Sequence, residues 1–154
     1  MCAVQHGRSI LGAMLSRIDH VGIAVRDIDA AVDAYRRLLG RPPSHRQVVE
    51  SDGIEAVMFE VGESRIELLG ATGPNSKIAA FLERRGGGLH HVAYGTDDVQ
   101  ATLDELTGLG LPAIDSCPRR GAGGRLVAFL HPSAAMGVLT ELCQPEPDAS
   151  EPVG

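Results

Sequence analysis

A histidine inside a short apolar run occurs twice, and this repetition constrains the chain more than any other feature. The two phrases are Ile18-Asp19-His20-Val21-Gly22-Ile23-Ala24-Val25 and Leu89-His90-His91-Val92-Ala93-Tyr94-Gly95, the second introduced by Gly86-Gly87-Gly88. Read as β-strands, each alternates its side chains between two faces. His20, Gly22 and Ala24 then share one face, as do His91, Ala93 and Gly95 in the second phrase. Each histidine is followed on its face only by small residues, which leaves room for a non-protein group. Val21, Ile23 and Val25 occupy the opposite face of the first strand and suit packing under a helix. The closing strands repeat too, as Ile66-Glu67-Leu68 and Thr140-Glu141-Leu142. His20 and His91 are 71 residues apart and Glu67 and Glu141 are 74 apart, a nearly constant offset that marks an internal duplication.

The order of elements agrees with a repeat. Residues 17–25 read as a strand. Asp27 then caps a helix with Ile28, Ala31, Val32, Tyr35, Leu38 and Leu39 on one stripe, ended by Gly40 before Pro42-Pro43. Residues 45–50, 55–61 and 64–69 read as three strands, with turns at Ser51-Asp52-Gly53 and Gly62-Glu63. Ser76 is the expected cap of a short connecting helix through Ile78, Phe81 and Leu82. The second half runs as strand 89–95, a helix capped by Asp97 or Asp98 carrying Val99, Leu103 and Leu106, and strands 112–117, 125–130 and 137–143. Each half is βαβββ, and neither buries its sheet face alone. The expected class is α+β, two βαβββ modules in tandem whose two sheets close as a cupped, barrel-like shell over one cavity. Residues 1–16 read as an N-terminal extension, with Met14 a possible natural start. A single domain spans 17–144, with module one at 17–70, a connector at 71–88 and module two at 89–144. Residues 145–154, rich in Pro, Glu and Asp, read as a frayed tail.

Composition removes several classes of function. A formal charge of −6 in 154 residues argues against nucleic-acid binding, which needs a basic face. No apolar run approaches a membrane span, and the stretch at 10–15 is too short for a secretory h-region. Cys2, Cys117 and Cys143 form an odd, scattered set and point to a reduced, cytoplasmic protein.

Taken singly, a strand histidine reads as a core residue and a strand glutamate as a solvent-facing one. The pairing of His20 and His91 with Glu67 and Glu141 across the repeat reverses that reading for the set. All four stand where buried strands normally carry apolar side chains, and a buried carboxylate needs compensation, which a divalent cation supplies. Two imidazoles and two carboxylates suit cobalt, manganese, nickel, iron or zinc better than calcium. Such a site leaves two adjacent positions on a six-coordinate ion for a ligand with neighbouring oxygens.

These phrases, with Pro118-Arg119-Arg120-Gly121-Ala122-Gly123-Gly124, Phe129-Leu130-His131-Pro132 and Gly137-Val138-Leu139-Thr140-Glu141-Leu142, resemble the vicinal oxygen chelate superfamily and, within it, the methylmalonyl-CoA epimerases. The resemblance implies a metal, cobalt first, held by His20, Glu67, His91 and Glu141; some family members carry glutamine at the Glu67 position. It implies interconversion of (R)- and (S)-methylmalonyl-CoA through α-proton abstraction and a metal-stabilised enolate, and a homodimer. Glu141 is the first candidate base. Epimerisation needs a second group on the opposite face, and where some members carry a glutamate this chain has Ala56; Glu55, Glu50 or a water are the alternatives. Arg119, Arg120 and the Gly121, Gly123 and Gly124 backbone are candidates for holding the coenzyme A arm. Cys143 reads as a small buried hydrophobe, His45 and His131 as surface or turn residues, and His90 as pointing away from His91. The rival functions are a glyoxalase-type isomerase acting on a glutathione hemithioacetal and a metal-free small-molecule binding protein of the same fold.

Overall fold

A computed structural model describes residues 15–145. Met14, Cys2, most of the expected N-terminal extension and nearly all of the expected tail lie outside the described residues.

The first module is β1 (Arg17–Val25), α1 (Ile28–Leu39), β2 (His45–Val49), β3 (Ile54–Val61) and β4 (Ser64–Ala71), followed by a connecting helix α2 (Ala79–Arg85). The second is β5 (Gly88–Gly95), α3 (Val99–Gly108), β6 (Arg119–Arg120), β7 (Leu126–Leu130) and β8 (Thr140–Gln144), with 3₁₀ turns at Ala122–Gly124 and Pro132–Ala135. Leu15 and Ser16, placed in the extension by sequence, join this fold: Leu15 packs against the α3 cluster and the Ser16 N–H donates to the Gly95 carbonyl at 2.9 Å.

Local chemistry explains the helices. Asp27 accepts from the Ala30 N–H at 3.0 Å and Gly40 closes α1 in the left-handed region at φ 67°. Asp98, not Asp97, caps α3 through the Ala101 N–H at 3.0 Å. The expected Ser76 cap of α2 is corrected. Ser76 Oγ accepts from the Ile78 N–H in the preceding turn, and the helix starts after Ile78 with no side-chain cap.

The strands form one eight-stranded sheet in the order β2-β3-β4-β1-β5-β8-β7-β6, rather than two sheets facing each other. The opening strands of the two modules, β1 and β5, pair antiparallel at its centre, and each closing strand pairs parallel beside its own opening strand. The sheet curls into a half-barrel with the helices outside. Val32 of α1 packs with Val57, Phe59 and Leu68, with Ile23 and Val25 against them. Val99 and Leu103 of α3 pack with Ala128, Leu130 and Leu142. These two outer clusters cover the convex face and leave the concave face for the site.

The strand expected at 112–117 does not form; only an isolated bridge joins Ala113 to Leu130. Pro112 and Pro118 lack a donor at both ends. The Asp115 carboxylate takes the Phe129 N–H at 2.8 Å in place of a backbone carbonyl. The edge position passes to the two-residue β6, so Arg119 and Arg120, expected in a loop, sit in a strand. The last strand starts at Thr140 rather than 137, because Met136 and Gly137 adopt positive φ.

Candidate metal and acyl-binding site

The register of the four central strands builds the site. Gly22 pairs with Glu67 on one side and His91 on the other, and Ala93 pairs with His20 on one side and Glu141 on the other. Two rows therefore cross the concave face, each with a small residue between a histidine and a glutamate. The small residues are required by space. The His91 ring lies over Gly22, where a Cβ would stand 2.1 Å from Cε1.

The four functional groups converge. His20 Nε2 lies 3.2 Å from His91 Nε2, 3.5 Å from Glu141 Oε2 and 3.8 Å from Glu67 Oε1. His91 Nε2 lies 3.0 Å from Glu141 Oε2 and 3.7 Å from Glu67 Oε1. All four residues are at most 6% exposed. With metal–ligand bonds near 2.1 Å, neighbouring donors around an octahedral ion stand roughly 3.0 Å apart and opposite ones roughly 4.2 Å. Every one of these separations falls in or at the edge of that interval, and His20, Glu67 and His91 form a group able to hold a metal ion. The donor set is compatible with a divalent metal. A second such group, Asp19, His20 and Cys143, shares His20. There Asp19 is taken up by arginines, and the Cys143 thiol is pushed up to about 12 by burial and by the Glu141 and Asp19 charges.

Each imidazole is oriented through its other nitrogen, as metal-binding histidines commonly are. His20 Nδ1–H donates to Asp19 Oδ2 at 2.7 Å. Asp19 is 3% exposed and also accepts from Arg65, from Arg125 Nη1 at 3.1 Å to both oxygens, and from Arg17 at 3.3 Å. Burial would raise its pKa, but His20 and the Arg65 and Arg125 charges outweigh burial and hold the carboxyl far below the usual range. Burial works against the charged form of His20, yet Asp19, Glu141 and Glu67 raise its pKa to about 10. Glu67 is raised by burial and by Glu141, against the pull of His20 and His91. Glu141 is held down by its hydrogen bonds to both histidines despite burial. The strand alternation would turn Asp19 away from His20. The register shift between Ile18 and His20 brings it back, and a lone acidic residue beside the histidine was the only sequence sign of it.

His90, expected to point away from His91, instead places Nδ1 2.9 Å from His91 Nδ1. Its pKa falls to about 4, through burial and then the His91 charge. Its ring also meets Phe81 edge-on at 4.9 Å.

A cavity of about 390 Å³ opens over Glu67, His91 and Glu141. Val49, Ile54, Ala56, Leu69, Ile78 and Ala122 make much of its wall apolar. Lys77, Asp52, Arg119 and Asp115 also line it as a chain of ion pairs, with Lys77 Nζ–Asp52 at 2.5 Å, Arg119 Nη1–Asp52 at 3.1 Å and Arg119 Nε–Asp115 at 3.9 Å. Among the residues proposed for the coenzyme A arm, Arg119 and Gly121 line this cavity. Arg120, Gly123 and Gly124 do not: Arg120 is exposed and donates to the Gly124 carbonyl at 2.5 Å, and the Gly123 N–H donates to Gln47 Oε1 at 2.8 Å. Glu55 is drawn to Arg46 at 2.6 Å, and Glu50 sits exposed in the turn after β2. Cys143 is fully buried, His45 pairs with Gln47 at the surface, and His131 caps the turn at Pro132–Ala135. Sequence reasoning missed Lys77 and Asp52, which come together only through the connector's path.

The family model for the Glyoxalase/Bleomycin resistance protein/Dioxygenase superfamily matches residues 19–129. The chain is 39% identical over 85% of its length to an ethylmalonyl-CoA/methylmalonyl-CoA epimerase of Cereibacter sphaeroides, covering 99% of that protein. It is 35% identical over 84% of its length to the human mitochondrial methylmalonyl-CoA epimerase, covering 74% of it. A solved Streptomyces coelicolor methylmalonyl-CoA epimerase variant in complex with 2-nitronate-propionyl-CoA superposes with a TM-score of 0.83 at 38% identity, over 90% of this chain and 99% of that one. Among the described residues no helix is long and apolar enough to cross a membrane.

Proposed function

The chain belongs to the Glyoxalase/Bleomycin resistance protein/Dioxygenase superfamily, and we propose that within it this protein is a metal-dependent epimerase of methylmalonyl-CoA. The observation that carries the reading is the convergence of His20, Glu67, His91 and Glu141, the last three at the floor of a cavity with apolar walls. The relatives' names supply the substrate class.

The α-proton of a 2-methylmalonyl thioester lies between two carbonyl groups and is only weakly acidic in water. A divalent cation, cobalt first and otherwise manganese, nickel, zinc or iron, would be held by these four residues and would act as a Lewis acid toward charge developing on the thioester oxygen. Glu141 takes the proton from carbon two through a carboxylate oxygen. The apolar wall receives the methyl group and keeps water from the reacting carbon. Asp19 and His90 hold the two imidazoles in orientation. Arg119 and Lys77 meet the anionic parts of the substrate at the rim, where arginine and lysine suit phosphate and carboxylate. The reading includes a cytoplasmic homodimer.

The test is deuterium exchange at carbon two of methylmalonyl-CoA in D₂O, followed by mass spectrometry, with and without a chelator. Exchange with interconversion of the epimers, abolished by the chelator and restored by a divalent cation, is the expected result. Absence of exchange beside conversion of a glutathione hemithioacetal would transfer the protein to the glyoxalase-type reading. Full ligand affinity after metal removal would favour a binding protein.

A further inference from the structure

We propose that a second cavity, at the far end of the concave face, is a binding site for a small oxyanion of the phosphate class. Its occupant needs neither the metal nor the acyl substrate.

The concave face continues past the four central residues. Strand alternation carries it two residues further, from Glu67 to Arg65 on β4, from Met58 to Glu60 on β3 and from Val127 to Arg125 at the start of β7. Arg65, Arg125, Glu60, Met58 and His45 line a cavity of about 400 Å³ there. Ala122 alone among the described residues lines both this cavity and the acyl cavity.

The floor holds more N–H donors than its acceptor can take. Arg65 and Arg125 have side chains only 11% and 22% exposed, and both donate to Asp19. Asp19 also accepts from His20 Nδ1–H at 2.7 Å and from Arg17 Nη2 at 3.3 Å. A carboxylate offers about four lone-pair sites, and these contacts fill them. Each guanidinium spends one terminal nitrogen here, Nη2 for Arg65 and Nη1 for Arg125. No half-buried side chain among the described residues has a buried nitrogen without a partner, so the remaining edges of both guanidiniums are open to the cavity they line.

Charge agrees with the donors. Asp19 faces Arg17, Arg65 and Arg125 with a single negative charge. Glu60, held at the outer wall by Ser44 Oγ at 3.1 Å, offsets only one of the two surplus charges. The two guanidinium forks stand on strands of different modules, so a tetrahedral oxyanion can meet both with different oxygens. The volume leaves space for water or a small substituent beside it. A nucleic acid is a poor occupant for a chain of net charge −6 with Glu60 on the wall. An ion here stands behind Asp19 and bears on His20 only through that carboxylate.

Inorganic phosphate is titrated into the full chain at constant ionic strength, without added divalent cation, by calorimetry and by thermal unfolding. The expected result is saturable binding of one equivalent and a melting temperature that rises with phosphate. Arg125→Gln should weaken binding about tenfold or more. Glu60→Gln, at an exposed position that donates nothing to Asp19, should tighten it about two- to fivefold, and it remains informative if Arg125→Gln does not fold. Arg119→Ala and saturating propionyl-CoA should each leave phosphate affinity unchanged. Loss of binding in Arg119→Ala, or displacement by propionyl-CoA, puts the ion in the acyl cavity and overturns the proposal. Non-saturable binding overturns it too, as does an affinity that Glu60→Gln leaves unchanged.

Discussion

Gly22→Ala tests the construction of the site with one methyl group. Gly22 is central in β1, and its φ lies outside the left-handed region that L-residues avoid, so alanine meets no backbone penalty there. The added Cβ would stand 2.1 Å from His91 Cε1, 2.3 Å from Nδ1 and 2.7 Å from Nε2. Ordinary contact begins at 3.4 Å, so the ring must retreat by about 1.3 Å. It has little room, because the rings of His20, His90 and Phe129 stand edge-on around it at 5.3, 5.2 and 5.7 Å between centroids. A displacement near 1 Å at a catalytic group costs on the order of 10²-fold in rate, equivalent to about 2.7 kcal/mol of transition-state stabilisation. Cation affinity should fall by a similar factor, since Nε2 leaves the point where it meets Glu141. Calorimetric cation titration and epimer interconversion are the assays, with circular dichroism to establish that the sheet persists. Gly108→Ala, at the end of α3 with open space around its position, is the matched control and should leave both unchanged. A Gly22→Ala protein that folds and binds the cation within about threefold of the parent refutes the packing argument, because the ring would then have to tolerate the methyl.

Cation binding should be strongly pH-dependent. His20, raised to about 10 without metal, holds a proton at pH 7 that binding must expel, so affinity falls as pH falls and at least one proton is released. Titrations in buffers of different ionisation enthalpy read that proton, and a buffer-independent heat would refute the assignment. By linkage, the stability His20 lends the metal-free protein is complete below its unfolded value of 6.5 and is lost as pH rises through about 10. Asp19→Asn should weaken cation affinity about 10- to 100-fold and also lower the melting temperature, since three arginines lose their shared partner. Reduced stability with unchanged cation affinity would reduce Asp19 to a packing role. Arg119→Ala should raise KM for the coenzyme A ester by about tenfold or more, whereas Arg120→Ala, exposed and off the cavity, should change it little. An equal or larger effect of Arg120→Ala would place the coenzyme arm elsewhere.

The duplication was legible because it is written twice in the same chemistry. Strand alternation alone puts His20 and His91 on one face with only small neighbours, and the family phrases extend that pattern over most of the chain. Where reading failed, a side chain or a missing donor had displaced the backbone pattern. Residues 112–117 have the composition of a strand, but Asp115 supplies the acceptor that a strand carbonyl would have offered to Phe129, and two prolines remove donors at the ends. Asp19 and His90 alternate away from the site on paper. A register shift in β1 and the closeness of two adjacent imidazoles bring both into hydrogen-bonding reach of the histidines that hold the centre. Beyond an acidic residue standing next to a histidine, neither departure has a local sequence signature, because each depends on how β1 and β5 meet across the repeat.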